Sequence, residues 1–598
     1  MNKSKPLITV LIILISFIYK IKTDESENEF TTVYGKIKGA IVDGYKGKKV
    51  ILLKGVPFAE PPVGDLRFKK TKEITSFKES PLDATKNFPF CMQMLDLSMK
   101  SEPDLNKKDD SMKPPKEPVA GFLKVVEENQ KVEYAEDCLY MNIYIPVSKT
   151  KKKSIAIYFH GGAFMMGGAS IKSLDFSVFS SFSDVIVVVP QYRLSVFGFL
   201  YGKNAEEAPG NQGLWDQHYA IKFISEIAES IGGSKKSITL WGSSSGGWSV
   251  GHHMFSPASQ NLFDKIIFQS GSAMSPFLLF SEENSLARFR KFAFFSKCAD
   301  MKKLEKDVEY VLRPDTYECI RKLSVDDIVK ATKEILKNKK DVGFIPAEDQ
   351  DFFGGNPFDT ITKNQFGTVK NVLMGTNSNE GGMILTSGMK DIYPPYEGEP
   401  KLLDLNQLFE HAKKNGANSN SGQIQLMLPM FFRGVDKKDP IAVRNHLLEL
   451  IKDSIFVCPD MLLVDEYSLR PGRKLFYYVF DHRPANTVYA PWLKGSQHYD
   501  ELQFIMGYPF MPELEKNYPK IEQELSRKTM TLWANFIKTG NPVTKSKIKW
   551  QPCVGKERSH IVFSGKSAKS QKGFVKNHCK DLTRYYSMGR SFLKNYKS

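Results

Sequence analysis

Short apolar runs rich in β-branched residues recur along the chain and alternate with segments of helical periodicity. Apolar residues within 214–231 recur at helical spacing, and two glycines at 232–233 end that predicted helix. Runs that are apolar on both faces favour a mainly parallel central sheet. The predicted fold class is therefore α/β, with functional groups on loops at the carboxyl ends of strands. The predicted strands are 141–145, 154–159, 185–189, 237–241, 266–268, 369–374 and 475–480.

The N-terminus of this 598-residue chain is typical of a secretory signal. Lys3 and Lys5 precede a mostly apolar stretch at 7–19, which is shorter than the about 20 residues of a membrane span. No Gly/Ser linker or repeat divides the rest, and 41% hydrophobic residues suffice for one large core. We therefore predict a signal peptide at 1–22 and a single domain at 23–598, secreted or in the secretory-pathway lumen, with an uncleaved anchor as the alternative.

The net charge of +17 comes from 84 Lys and Arg against 67 Asp and Glu. The lysines are scattered and no arginine-rich arm is present, so the charge indicates a solvated surface rather than a nucleic-acid site. The sequence has no His-Glu-x-x-His, no Cys-x-x-Cys and no Walker-type phosphate loop. We predict no cofactor, no metal, no nucleic-acid partner and no stable membrane span, and the oligomeric state stays open.

The most informative motif is Gly-x-Ser-x-Gly at Gly242, Ser244 and Gly246, between the predicted strand 237–241 and an apolar helical segment at 247–255. A serine between such a strand and helix lies on a sharp turn that exposes its hydroxyl. The motif alone is weak, because an inert Gly/Ser loop can have the same letters. In this position it predicts that Ser244 is a nucleophile and that the protein is a hydrolase.

A serine nucleophile needs donors for the oxyanion, a base, and an acid that orients the base. The segment His-Gly-Gly-Ala-Phe at 160–164 follows a predicted strand, where its N–H groups can face a ligand. The acid should lie at a strand end after the serine; Glu380 fits, with Glu348 and Asp349 as rivals. For the base, spacing gives His498 only a slight lead over His482 among six later histidines.

Here the chain resembles a type-B carboxylesterase of the cholinesterase superfamily, over about 33–579. The resemblance implies an α/β-hydrolase fold, a Ser244–Glu380–His498 triad and a structural role for His482. It also implies oxyanion donors from Gly162, Ala163 and Ser245. The matching stretches are 55–68, 136–142, 160–164, 192–194, 210–217, 242–246, 269–272, 375–381, 495–507 and 533–542.

Seven cysteines suit a secreted protein, and their odd number leaves at least one unpaired or paired with another chain. The residues themselves do not define the pairing. The resemblance implies three disulfides, Cys91–Cys138, Cys298–Cys319 and Cys458–Cys579, with Cys553 left over. It also implies two salt bridges, Arg67–Glu136 and Arg193–Asp216, which would hold loops around the site.

Two departures from the cholinesterase pattern bear on the substrate. Cholinesterases have a tryptophan in the first disulfide loop that stacks on the choline cation, but none of this chain's six tryptophans lies between Cys91 and Cys138. Ser243 replaces the glutamate that usually precedes the nucleophile, which removes a negative charge. We therefore expect a serine carboxylesterase for small, uncharged esters. The alternatives are a catalytically weak or inactive adhesion or binding protein with this fold, and a cholinesterase.

Overall fold

The computed structural model describes residues 28–93 and 132–579, except 273, 276–278, 301, 304–306, 308, 338–342, 356–365, 397, 415–430, 488, 545–547, 556, 566 and 574–578. The predicted signal peptide at 1–22 lies outside the described residues. Within them, the strands of the main sheet extend from Ala40 to Gln571, so one sheet connects nearly the whole described chain.

Eleven strands form the central sheet, in the spatial order β18-β17-β16-β15-β14-β13-β9-β10-β8-β4-β3. The neighbours from β17 to β10 are parallel, and the pairs at both edges are antiparallel. The strands are β1 (Glu29–Thr32), β2 (Gly35–Lys38), β3 (Ala40–Asp43), β4 (Lys49–Pro57), β5 (Leu82–Asp83), β6 (Phe90–Cys91), β7 (Tyr134–Ala135), β8 (Tyr140–Pro146), β9 (Lys153–Phe159), β10 (Ile186–Pro190), β11 (Tyr201–Asn204), β12 (Ala208–Pro209), β13 (Gly233–Ser243), β14 (Lys265–Gln269), β15 (Asn371–Asn377), β16 (Lys474–Phe480), β17 (His560–Ser564) and β18 (Ser567–Gln571).

Helices follow most of the parallel strands, as the alternating pattern of the sequence predicts. The α-helices are α1 (Ser177–Ser183), α2 (Ser195–Phe199), α3 (Gln212–Ile227), α4 (Ser245–Phe255), α5 (Glu282–Phe295), α6 (Pro314–Lys322), α7 (Val325–Leu336), α8 (Gln350–Phe353), α9 (Gly381–Gly388), α10 (Leu405–Lys414), α11 (Pro440–Lys452), α12 (Cys458–Tyr467), α13 (Leu502–Met506) and α14 (Lys520–Thr539). A π-helical turn, Asp453–Val457, joins α11 to α12. The α/β class with a large, mostly parallel sheet is confirmed.

Both faces of the sheet are buried, which explains the continuous apolar runs. Along β9, Ile155 and Ile157 belong to one hydrophobic cluster, while Ala156 and Tyr158 belong to another. Side chains alternate across a strand, so these two clusters lie on opposite faces of the sheet. Trp241 on the neighbouring strand has no exposed surface and packs edge-on against Tyr158, with 5.2 Å between ring centroids.

The three disulfides form as the resemblance implies, joining Cys91 to Cys138, Cys298 to Cys319 and Cys458 to Cys579. Cys553 is the free cysteine of the seven and is fully buried. Burial raises the pKa of its thiol to about 12. The thiol of folded Cys553 therefore stays protonated, and hence unreactive, at neutral pH.

The two predicted salt bridges are present. Arg67 Nε and Nη2 contact the two carboxylate oxygens of Glu136 at 2.6 and 2.5 Å. The fully buried Asp216 accepts from Arg193 Nε and Nη2, at 2.8 Å each. Paired donors of this kind make a buried carboxylate tolerable.

Among the described residues, no helix combines the length and apolar character that crossing a membrane requires.

Two adjacent histidines on α4, His252 and His253, are buried. Burial lowers the pKa of His252 to about 3, and neither of its ring nitrogens has a hydrogen-bond partner among the described residues. Burial likewise lowers the pKa of His253 well below its usual range, and that of His160 and His218 to about 4. The folded protein therefore holds these imidazoles neutral at pH values where an unfolded chain protonates them.

We predict that the His252→Leu variant loses less stability in acid than the wild-type protein. Below about pH 6.5 the unfolded chain binds a proton at residue 252 that the folded protein excludes, so the free energy of unfolding decreases as pH decreases. Without the His252 imidazole, the slope of the free energy of unfolding against pH should be smaller by up to about 1.4 kcal/mol per pH unit between pH 6 and 4.5. Urea titrations at several pH values measure the slope, and equal slopes in the two proteins would contradict the prediction.

Candidate active site

Ser244 occupies a strained turn between β13, which ends at Ser243, and α4, which begins at Ser245. Its φ and ψ of 53° and −127° are unusual for a residue with a side chain. The turn is held by a hydrogen bond from the Ser244 N–H to the carbonyl of Gln269 on the adjacent strand, at 2.8 Å. Its side chain therefore stands at the carboxyl end of the parallel strands, where the sequence predicts the nucleophile.

The two glycines of the motif are required by close backbone contacts. A Cβ atom on Gly242 would collide with the carbonyl of Gly246, and one on Gly246 would collide with the carbonyl of Phe159 at the end of β9. The first turn of α4 thus packs directly onto β13 and β9. This packing explains why positions 242 and 246 are glycine, independently of any chemistry at Ser244.

The loop after β9 lies against the serine turn. Gly161 is close to the nucleophile, since a Cβ atom there would lie 2.9 Å from the Ser244 Cβ. Gly162 and Ala163 adopt positive φ values of 118° and 56°, and no described residue accepts a hydrogen bond from either N–H. The Ser245 N–H begins α4 and so has no acceptor within the helix. These three amides are free to bind an anion.

Glu380 has no exposed surface and accepts hydrogen bonds from three segments of the chain. His498 Nδ1 contacts Oε2 at 2.5 Å. Ser270 Oγ donates to Oε1 at 2.5 Å, and the Asn377 N–H donates to the same oxygen at 2.6 Å. Burial alone would raise the pKa of Glu380, but the charge and hydrogen bond of His498 and the other donors outweigh it, so the pKa is lowered.

The His498 loop is fixed to the Glu380 loop by backbone and side-chain bonds. The Asn379 N–H donates to the carbonyl of Ser496 at 2.9 Å, and Ser496 Oγ donates to Asn377 Oδ1 at 2.6 Å. His498 is 2% exposed, and its ring lies 5.3 Å from the Phe456 ring. Because Nδ1 faces Glu380, Nε2 is the nitrogen available to the serine.

The side chain whose hydroxyl lies beside Ser244 is Tyr499, which is not a member of the expected triad. Among the described hydrogen bonds, none joins Ser244 to His498. Tyr499 stacks edge-on against His498, with 4.5 Å between centroids, and its hydroxyl lies in the space between Gly161 and Ser244. Ser244 and His498 both lie next to Tyr499. Hydrogen bonds of active sites are often long or misaligned before substrate binds.

The rival candidates lie in other environments. His482 Nε2 contacts Glu522 Oε1 at 2.8 Å, on the first turn of α14. Asp349 caps α8 and accepts a hydrogen bond from Phe352 N–H at 2.7 Å; its burial raises its pKa to about 7. Neither group has a hydrogen bond to Ser244 or His498 among the described contacts.

A second buried carboxylate, Glu501, lies behind the Glu380–His498 pair. It accepts from Asn377 Nδ2 at 2.6 Å and from Gln269 Nε2 at 3.0 Å. Burial, and then the charge of Glu380, raise its pKa to about 7. The region therefore holds less negative charge than its count of acidic residues suggests.

Comparison with known proteins agrees with the fold. The model of the carboxylesterase family matches residues 26–581. Acetylcholinesterase 1 of Caenorhabditis elegans is 32% identical over 507 residues, covering 83% of this chain and 76% of the relative. Acetylcholinesterase of Bungarus fasciatus is 30% identical over 521 residues, covering 86% and 79%. Acetylcholinesterase of Electrophorus electricus is 26% identical over 607 residues, covering 95% and 90%.

The chain belongs to the carboxylesterase family, and its fold is the α/β-hydrolase fold. It is a carboxylic ester hydrolase of the superfamily that includes the acetylcholinesterases. Sequence reasoning did not identify Ser270, Asn377 and Tyr499 as parts of this site. All three residues lie in stretches that match the family, but nothing in the sequence indicates that the Tyr499 hydroxyl lies beside the nucleophile.

We predict that Gly246→Ala destabilises the protein, because its methyl group would meet the Phe159 carbonyl. Forced overpacking of this kind costs about 1–3 kcal/mol. Gly388, near the end of α9, is a matched control because nothing lies within 4 Å of a Cβ placed there. Urea unfolding should show a clear loss for Gly246→Ala and little change or a small gain for Gly388→Ala; equal effects would refute the steric explanation.

Proposed function

We propose that the protein is a secreted serine carboxylesterase that hydrolyses uncharged esters through an acyl-enzyme on Ser244. The single observation that supports this most strongly is the buried His498–Glu380 hydrogen bond beside a serine on a strained strand-to-helix turn. A nucleophile, a base and an orienting acid are the parts that acyl transfer through serine needs.

In the proposed mechanism, His498 Nε2 takes the Ser244 proton as Oγ attacks the ester carbonyl. Glu380 holds the imidazole through Nδ1 and stabilises the imidazolium that forms. The N–H groups of Gly162, Ala163 and Ser245 donate to the oxyanion. The imidazolium then protonates the departing alcohol, and water, activated by the same imidazole, hydrolyses the acyl-enzyme.

Three variants test the assignment of the triad. Ser244→Ala should lower turnover of a short-chain aryl ester by about 10⁶-fold, as in other serine hydrolases, and should abolish labelling by a fluorophosphonate. His498→Gln should cause a comparable loss, whereas His482→Gln should retain activity because His482 pairs with Glu522. Wild-type protein that neither turns over the ester nor labels would favour the binding-protein alternative. Activity that persists in Ser244→Ala would mean that another residue is the nucleophile.

The preference for uncharged substrates rests on the surroundings of the serine. The residue before the nucleophile is the neutral Ser243, whose Oγ lies 2.6 Å from the Tyr158 hydroxyl. The carboxylate of Glu380 is paired with His498, and Glu501 has a raised pKa. No tryptophan of the chain lies between Cys91 and Cys138. These features offer little to a quaternary ammonium group.

The relatives named acetylcholinesterase make cholinesterase activity the second candidate. A matched substrate pair separates the two. Acetylthiocholine and its carbon isostere, in which a tert-butyl group replaces trimethylammonium, differ only in charge. We predict kcat/KM for the isostere equal to or above that for acetylthiocholine. A preference of about tenfold or more for the charged ester, the size expected of a cation–π site, would favour a cholinesterase.

A further inference from the structure

Tyr499, directly after His498, has a backbone conformation that favours glycine. Its φ is 75°, in the left-handed region that a residue with a bulky side chain rarely occupies. Such strain persists only when the surrounding structure imposes it, and it concentrates at functional sites. The ring is partly buried and packs edge-on against His498.

The strain places the Tyr499 hydroxyl beside the nucleophile. A Cβ atom on Gly161 would collide with that hydroxyl, and the same point lies 2.9 Å from the Ser244 Cβ. The hydroxyl therefore occupies the narrow space between the loop after β9 and the serine turn. A phenylalanine at position 499 would leave this space empty, because the hydroxyl oxygen is the atom that occupies it.

A series of hydroxyl groups leads away from the nucleophile at this point. The Tyr499 hydroxyl lies beside Ser244, and the Oγ of the preceding Ser243 lies 2.6 Å from the fully buried Tyr158 hydroxyl. Each of these groups has one proton to donate. If Tyr158 donates to Ser243, Ser243 to Tyr499 and Tyr499 to Ser244, the Ser244 proton is left for His498.

We propose that Tyr499 is a positioning residue for the nucleophile, whose phenolic hydroxyl donates a hydrogen bond to Ser244 Oγ and holds it as negative charge develops there. This inference rests on the proposed function of Ser244. Burial raises the pKa of Tyr499 to about 12, so the phenol stays protonated and remains a donor at neutral pH. No proton leaves Tyr499 in this role; the Ser244 proton moves to His498 as in the mechanism above.

Tyr499→Phe tests the proposal, since it keeps the ring and the backbone strain and removes only the hydroxyl. We expect the second-order rate constant for fluorophosphonate labelling of Ser244 to decrease about tenfold, the worth of one hydrogen bond, with a similar decrease in kcat/KM for an aryl ester. The inhibition constant of the corresponding aryl ether, which binds without reacting, should not change. A merely structural role would weaken binding and stability together instead.

The matched control is Tyr467→Phe, which removes a buried hydroxyl bonded to the Val369 carbonyl at 3.2 Å, away from the site. It should react as the wild type does. Ser243→Ala interrupts the hydroxyl series one step further away and should cause a smaller decrease, about threefold; it also serves as the test if Tyr499→Phe fails to fold.

The outcomes separate this inference from the proposed function. Wild-type protein that labels at Ser244, together with a Tyr499→Phe variant whose labelling rate lies within twofold of it, would overturn the role of Tyr499 alone. If Tyr499→Phe does not fold, an unchanged labelling rate in Ser243→Ala would also overturn the role of Tyr499. Wild-type protein that does not label at Ser244 would overturn both, and labelling that persists in Ser244→Ala would locate the nucleophile elsewhere.

Discussion

A carboxylate with no exposed surface, that of Glu380, is the constraint on which the site depends. An unpaired ion in such a place costs several kcal/mol, so the chain must supply donors. Ser270 follows β14, Asn377 ends β15, and His498 comes from a loop more than a hundred residues later. Satisfying one charge therefore joins three distant segments at a single edge of the sheet. The orientation of the imidazole is a consequence of the same bonds.

A steric constraint acts beside this electrostatic one. The backbone of α4 approaches β9 so closely that Gly246 tolerates no side chain, and this approach holds Ser244 in its strained conformation. The parallel sheet supplies both conditions, because adjacent strands end together and their loops meet. Fold and site are thus specified by the same contacts, and a change at the turn is expected to affect stability as well as chemistry.

Local sequence patterns were sufficient to predict much of the fold. The features that could not be predicted depend on tertiary contacts. The apolar run at 185–189 could be predicted as a strand, β10, because both of its faces are buried. The serine motif could be recognised because close backbone contacts require glycine at positions 242 and 246. The predicted strand 141–145 corresponds to β8, but nothing in that run indicates that β8 pairs antiparallel with β10 and β4. The choice of His498 over His482 and the cysteine pairing required the family resemblance. The position of the Tyr499 hydroxyl depends on a positive φ angle at a residue other than glycine, and no local pattern indicates it.

The unpaired Cys553 has a practical consequence. With six of seven cysteines in disulfides and this one buried with a raised pKa, a thiol-alkylating reagent has no reactive target in the folded protein at neutral pH. Unfolding exposes a single thiol and returns its pKa to an ordinary value. The alkylation rate of Cys553 under mild conditions therefore measures how often the protein unfolds and exposes its core to solvent. The measurement needs no introduced label.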